Sequence, residues 1–170
     1  RIARLAESVE ILKRCFAEGS FDFDGEHYTV RGHDGQPTCI QLPHPPFLLG
    51  GGGRKMLSLA AQEAEIVGLN ANMAAGVIDQ RAGTSATVEA TDRKLGWIRD
   101  AAGDRFADIE LQTRVHMSQI TDDPIGLAEL MAPALGLDAE AALASPHVLV
   151  GSSGQCVETL LAWRERWGLT

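Results

Sequence analysis

Four consecutive glycines, Gly50, Gly51, Gly52 and Gly53, stand before Arg54 and Lys55 in the stretch PPFLLGGGGRKMLSLAAQEAEIVGLN. This is where the sequence could do chemistry. Pro45 and Pro46 introduce a short apolar run ending at Leu49, and the glycines then strip every side chain from the turn. Met56, Leu57, Ala60, Ala61 and Ala64 recur at helical spacing, and a second apolar run from Ile66 to Leu69 is closed by Asn70. The spacing predicts strand, turn, helix, strand. A turn without side chains brings backbone N–H groups close to a partner, and at a helix N-terminus the partner it suits is a phosphate. Arg54 and Lys55 lie at the positive end of the helix dipole, where each cation costs ~0.3–1 kcal/mol unless an anion or solvent offsets it. The spacing matches neither the dinucleotide fingerprint nor the P-loop. A second reading stays open, in which the glycines only let the turn pack tightly under a strand.

Other residues could reach the same site. Asn70 and Asn72 follow the second strand, at the head of a glycine- and alanine-rich connection over residues 71–84, which makes that connection a candidate ligand loop. In IELQTRVHMSQIT, residues alternate with period two. Ile109, Leu111, Val115 and Met117 make an apolar face, and Glu110, Gln112, Arg114 and His116 a polar one. That pattern fits a strand at a sheet edge in water, or a barrel strand with a polar inner face. Arg114 and His116 touch ligand in the second case only. His44, between prolines, is a weaker candidate. Cys15, Cys39 and Cys156 are scattered, with neither metal spacing nor a disulfide framework, which suits a reducing cytoplasm.

The elements that must hold these residues alternate in α/β style. The chain opens on an amphipathic helix carrying Ile2, Leu5, Val9, Leu12 and Phe16, with Glu10 and Arg14 paired four residues apart. No N-cap precedes Arg1, so the sequence reads as cut from something longer. FDFDGEHYTV reads as a hairpin turning at Asp24–Gly25. A helix is expected from about Thr87 to Ala102, and Asp122-Asp123-Pro124 starts another. Asp138 caps a short one. Ser152 and Gln155 have capping-box spacing before a last helix in which Cys156, Leu160, Trp163 and Trp167 share a face and Gly168 is the C-cap. The next strand is expected only after Thr170. At 170 residues, 45% hydrophobic, the chain can bury one core. Fifteen basic against 23 acidic residues give a net charge of −8, which argues against general nucleic-acid binding. No apolar run approaches the ~20 residues of a membrane helix.

Five segments in order, RIARLAESVEILKRCF, FDFDGEHYTV, QLPHPPFLLGGGGRKMLSLAAQEAEIVGLN, RKLGWIRDAAGDRF and SPHVLVGSSGQCVETLLAWRERWGLT, resemble the C-terminal part of luciferase-like monooxygenase-class oxidoreductases, closest to members that use a deazaflavin. The resemblance covers essentially the whole chain. It implies a (β/α)8 TIM barrel of the bacterial luciferase-like type, present as an incomplete C-terminal fragment. Residues 1–170 would be one domain holding about the fifth, sixth and seventh strands, the seventh running over 109–119. It implies coenzyme F420, with FMN as the alternative, bound beside Gly50, Gly51, Gly52 and Gly53, with Arg54 near a phosphate and Asn70 on the same mouth. The implied chemistry is hydride transfer between the deazaflavin and a small organic substrate. An FMN-dependent monooxygenase is the alternative, and a truncated or accessory subunit pairing with a partner barrel is a reading of another class. A homodimer is implied, and no nucleic acid, membrane or metal. The residues that react belong to earlier strands, so the resemblance assigns no catalytic residue here.

Overall fold

The computed structural model describes residues 1–17, 19–73 and 80–170, except the side chain of residue 81. The chain divides into two compact units, Arg1–Phe47 and Leu48–Thr170. In the first, helix α1 (Ile2–Phe16) and strands β1 (Ser20–Asp24) and β2 (Thr29–Asp34) form a helix and an antiparallel hairpin. The expected Glu10–Arg14 pair is present at 2.8 Å. The hairpin loop is held from outside itself. The Glu7 carboxylate of α1 accepts backbone N–H groups of Glu26, His27 and Tyr28 at 2.9–3.2 Å. His44 lies against Phe47, their rings 4.7 Å apart.

The second unit is built on parallel strands. β3 (Leu48–Gly51) leads through α2 (Arg54–Glu63) to β4 (Ile66–Leu69), and α3 (Gln80–Thr84) and α4 (Val88–Ala102) lead to β5 (Glu110–Thr113). The order is β3-β4-β5, with Leu49, Val67 and Leu111 in one register row and Gly51, Leu69 and Thr113 in another. Period-two alternation therefore separates two faces. Val67, Leu69 and Leu111 are buried in one core with Leu57, Ala60 and Ala61 of α2 and Leu95 and Ile98 of α4. Leu48, Glu110 and Gln112 lie exposed on the other. Burying such aliphatic side chains contributes roughly 1.5–3 kcal/mol each. Trp163 and Trp167 join this core, and the Trp167 indole N–H donates to Asp92 at 2.7 Å.

Beyond β5 the chain departs from the expected single strand over 109–119. β5 stops at Thr113, and β6 (Met117–Ile120) pairs with β7 (Val148–Gly151) in a separate parallel sheet. The physical reason is a corner, Ser145-Pro146-His147, that takes over the hydrogen bonds of the intervening backbone. The His147 carbonyl accepts from His116 and Met117, and the His147 ring meets the Arg114 carbonyl. Between β6 and β7 lie α5 (Pro124–Met131), a 3-10 turn (Ala132–Leu135) and α6 (Ala139–Ala144). α7 (Ser153–Trp167) follows, and Gly168 at φ +71° turns the chain back. Leu169 then bridges Leu111 in parallel, and Thr170 N–H donates to the Leu111 carbonyl at 3.0 Å. The next strand position beside β5 thus begins at Leu169, not after Thr170. The helix starts expected at Asp123, Asp138 and Ser152 with Gln155 are capped by those side chains on α5, α6 and α7, and Thr87 caps α4 as well. Leu160 leaves the expected buried face and is 47% exposed.

Candidate functional site

The C-terminal ends of β3, β4 and β5 open on one cleft of about 340 Å³. Its walls are Gly51 and Gly52 at the end of β3, Asn70, Ala71 and Met73 following β4, and Arg114 and His116 following β5. The tertiary structure therefore brings together candidates from three separate segments. Gly50, Gly53 and Arg54 are not among the residues lining the cleft; Gly50 lies within β3, Gly53 is the N-cap of α2 and Arg54 is its exposed first residue.

The four glycines divide by what a side chain would meet. A Cβ on Gly50 would lie 2.9 Å from the Gly68 carbonyl and 3.1 Å from the Asn70 amide nitrogen. On Gly51 it would lie 2.4 Å from Met56, and on Gly52 2.4 Å from the Ala71 carbonyl. These three are glycines because the chain packs on itself, and Asn70 N–H donating to the Gly51 carbonyl at 3.0 Å fixes the approach. A Cβ on Gly53 would meet nothing within 4 Å. Gly53 is also the N-cap of α2 with an ordinary extended conformation, φ −119°, and offers no capping side chain. No side chain caps the first turn of α2, unlike those of α4 to α7, although Met56 N–H donates to the Gly53 carbonyl at 3.1 Å.

Behind the cleft lies a buried polar network that sequence reasoning missed. Lys94 is 2% exposed, and its ammonium donates to the carbonyls of Asn70 at 2.7 Å and Ser85 at 2.5 Å. Burial pushes its pKa down to about 8, with Arg93 adding repulsion. The Ser85 hydroxyl accepts from Asn72 N–H at 2.6 Å. Ser145 Oγ donates to the Ala86 carbonyl at 2.7 Å, and the His147 imidazole Nδ1 lies 2.9 Å from the Arg114 carbonyl. These bonds pin the chain after β4 and the chain after β5, the two walls carrying Asn70 and Arg114. A lysine beside Leu95 and four residues before Ile98, on the apolar side of the helix, was the signal available in the sequence. His116 is exposed, with its ring 5.3 Å from that of His147. Partial burial, then the charge of Arg114, lower its pKa. Of the expected ligand loop over 71–84, residues 74–79 lie outside the described residues. Among the described residues, no His, Cys, Asp and Glu side chains group as metal ligands, and no helix is long and apolar enough to cross a membrane.

Parallel strands with helices on one face and a cleft at their C-terminal ends are arranged as in part of an α/β barrel. The sequence matches the luciferase-like monooxygenase family over residues 1–103, and the chain belongs to that family. It is 27% identical over 77 residues to an FMNH(2)-dependent dimethylsulfone monooxygenase of Pseudomonas putida, covering 45% of this chain and 21% of the relative. A monooxygenase from Streptomyces bottropensis has a similar structure, with TM-score 0.64 at 21% identity over 98% of this chain and 51% of that one. So does the coenzyme F420 dependent tetrahydromethanopterin reductase of Methanopyrus kandleri, with TM-score 0.57 at 18% identity over 82% of this chain and 41% of that one. The chain therefore has the luciferase-like TIM-barrel fold and spans about half the length of these structures, and a fifth of the curated relative. Both flavin and deazaflavin enzymes are among its relatives.

Proposed function

We propose that the protein is an oxidoreductase that transfers a hydride between coenzyme F420 and a small organic substrate. The observation that carries this reading is the open N-terminus of α2 at Gly53, next to a cleft lined from three strand ends. Backbone N–H groups of the first turn of α2 would hold a phosphate of the coenzyme tail, with Arg54 beside them. Gly51, Gly52 and Asn70 would shape the wall along which the coenzyme lies, and Gly50 would let Asn70 close on it. Arg114 and His116 would face it from β5. When bound, a reduced deazaflavin supplies hydride to an electron-poor carbon, and its oxidised form accepts hydride from an alcohol carbon. The residues of this chain bind and orient. No proton step is assigned to them.

A second reading, an FMN-dependent monooxygenase, is favoured by the FMNH(2)-dependent relative, and FMN too would present its phosphate to the same helix end. We further propose that residues 1–170 belong to one barrel domain and that the protein is a cytoplasmic homodimer acting on a small molecule; the three free thiols suit a reducing compartment.

The test is a fluorescence titration of the full-length protein with coenzyme F420 and with FMN. Gly53→Thr keeps a capping residue on α2 and adds a branched side chain where the phosphate would approach. Affinity for the bound coenzyme should fall about tenfold, the loss of one charge-assisted contact. Equal affinity in the two proteins would remove Gly53 from the site. Binding of FMN alone would decide for the monooxygenase reading. Gly52→Val cannot serve this purpose, because its side chain would collide with Ala71 before any ligand arrived.

A further inference from the structure

Among the described residues, the largest fully buried side chain is a cation. Lys94 lies in the middle of α4, and its ammonium is held by two carbonyls, of Asn70 at 2.7 Å and Ser85 at 2.5 Å. Asn70 follows β4 and lines the cleft, and Ser85 follows α3.

No carboxylate answers this charge. Among the described residues Lys94 is in no ion pair, and Arg93, the next residue on α4, repels it. Helix α2 packs on α4 through Leu57, Ala60 and Ala61, which are apolar. The corner before β7 brings His147, which burial keeps neutral at pH 7. Two carbonyls can be satisfied by a neutral donor, so hydrogen bonding alone does not call for an ammonium. A buried charge without a counter-ion is costly and is normally paired. The cleft beyond Asn70 is where a counter-charge has room. Its wall includes Arg114 and His116 and, among the described residues, no carboxylate, in a chain of net charge −8. Arg114 is in no ion pair there either.

We propose that Lys94 determines the charge selectivity of the cleft: its buried ammonium favours a ligand bearing an oxyanion over the same ligand without one. Lys94 does not touch the ligand. Its charge acts through space, because buried charges are screened little by solvent or salt, and through the Asn70 peptide whose carbonyl it polarises. Burial holds its pKa at about 8, so the field is present below that pH and is lost as pH rises through it. A bound anion favours the charged form and moves the loss upward. His116, whose pKa is lowered, titrates below this range. The proposal rests on the coenzyme reading for its first probes, and sulfate tests it without that reading.

The experiment compares FMN with riboflavin, which lacks only the phosphate, and coenzyme F420 with its phosphate-free core. Binding to the full-length protein is followed by fluorescence between pH 7 and pH 9.5. For the coenzyme that binds, affinity should fall by about five- to tenfold across this range, while its phosphate-free partner changes little. Lys94→Met should hold the charged ligand at the weak, high-pH affinity throughout. Lys94→Arg, which stays charged, should keep the preference to pH 9.5. A merely structural role moves both members of a pair together and gives no pH step. Should neither variant fold, the wild-type profiles decide. Should neither coenzyme bind, the coenzyme reading fails, and equilibrium dialysis with sulfate decides: sulfate should bind at pH 7 and weaken by the same factor. A flat profile for the anion, equal falls for both members of a pair, the same fall in Lys94→Met, or no binding of any anion would overturn the proposal.

Discussion

At the end of β3 the chain carries no side chain for four residues; at the end of β5 it carries Thr113, Arg114, Val115 and His116. Both ends form walls of one cleft, yet they are positioned in different ways. The β3 end is fixed by backbone against backbone, with Gly50 and Gly52 lying so close to Gly68 and Ala71 that no Cβ fits. The β5 end is fixed by buried polar side chains, with His147 on the Arg114 carbonyl and Lys94 on the neighbouring Asn70 carbonyl. The first device tolerates no added atom. The second tolerates no lost hydrogen bond and depends on protonation.

The sharpest way to break the comparison is Gly52→Val. Overlap with the Ala71 backbone should lower the unfolding free energy by about 3–4 kcal/mol in a urea titration, and the cleft should be lost with it. A stable Gly52→Val protein would mean that the β3 end is not held by backbone contact. Acid probes the β5 end. His147 has a folded pKa of about 4 against an ordinary 6.5, so between these values the unfolded chain binds the proton first. Its contribution is complete above pH 6.5 and is lost as pH falls through that window, by up to about 3 kcal/mol. Denaturation at pH 7 and pH 4.5 should show the drop, and His147→Leu should flatten it; an unchanged slope in the variant would assign the acid sensitivity elsewhere. Lys94→Ala leaves two part-buried carbonyls without their donor and should cost about 2 kcal/mol. Hydrogen exchange should then quicken at Asn72, whose N–H rests on Ser85. The smallest change is expected for Gly53→Thr, within about 0.5 kcal/mol by urea titration, since its Cβ enters open space and threonine and glycine cap helices about equally well. A large loss there would make Gly53 a packing glycine like its three neighbours.

Much of this was legible along the chain. Asp123, Asp138, Ser152 and Gln155 stop the backbone at a helix start by bonds that span three residues, and each forms where the sequence placed a helix start. The β3–α2–β4 unit was readable for the same reason, because its periodicity and glycine turn are local. The alternation over 109–119 misled, since period two marks extended backbone without saying which strand it pairs with. Only the corner at Ser145-Pro146-His147, some thirty residues onward, breaks that segment into two sheets.

The sequence by itself determined most of the elements, the helix starts at Asp123, Asp138 and Ser152, and the family, and it singled out Gly50, Gly51, Gly52, Gly53, Arg54 and Asn70 as candidates for one mouth. Tertiary structure decided that three of the four glycines serve contacts within the chain and that Gly53 alone opens outward. It also decided that Arg114 and His116 join Asn70 and that Lys94 and His147 support them from behind. The physical reason is the range of the forces involved. Helix caps and periodicity act over three or four residues. A buried ammonium or imidazole finds its partner across 24 or 33 residues of chain, where no spacing rule reaches.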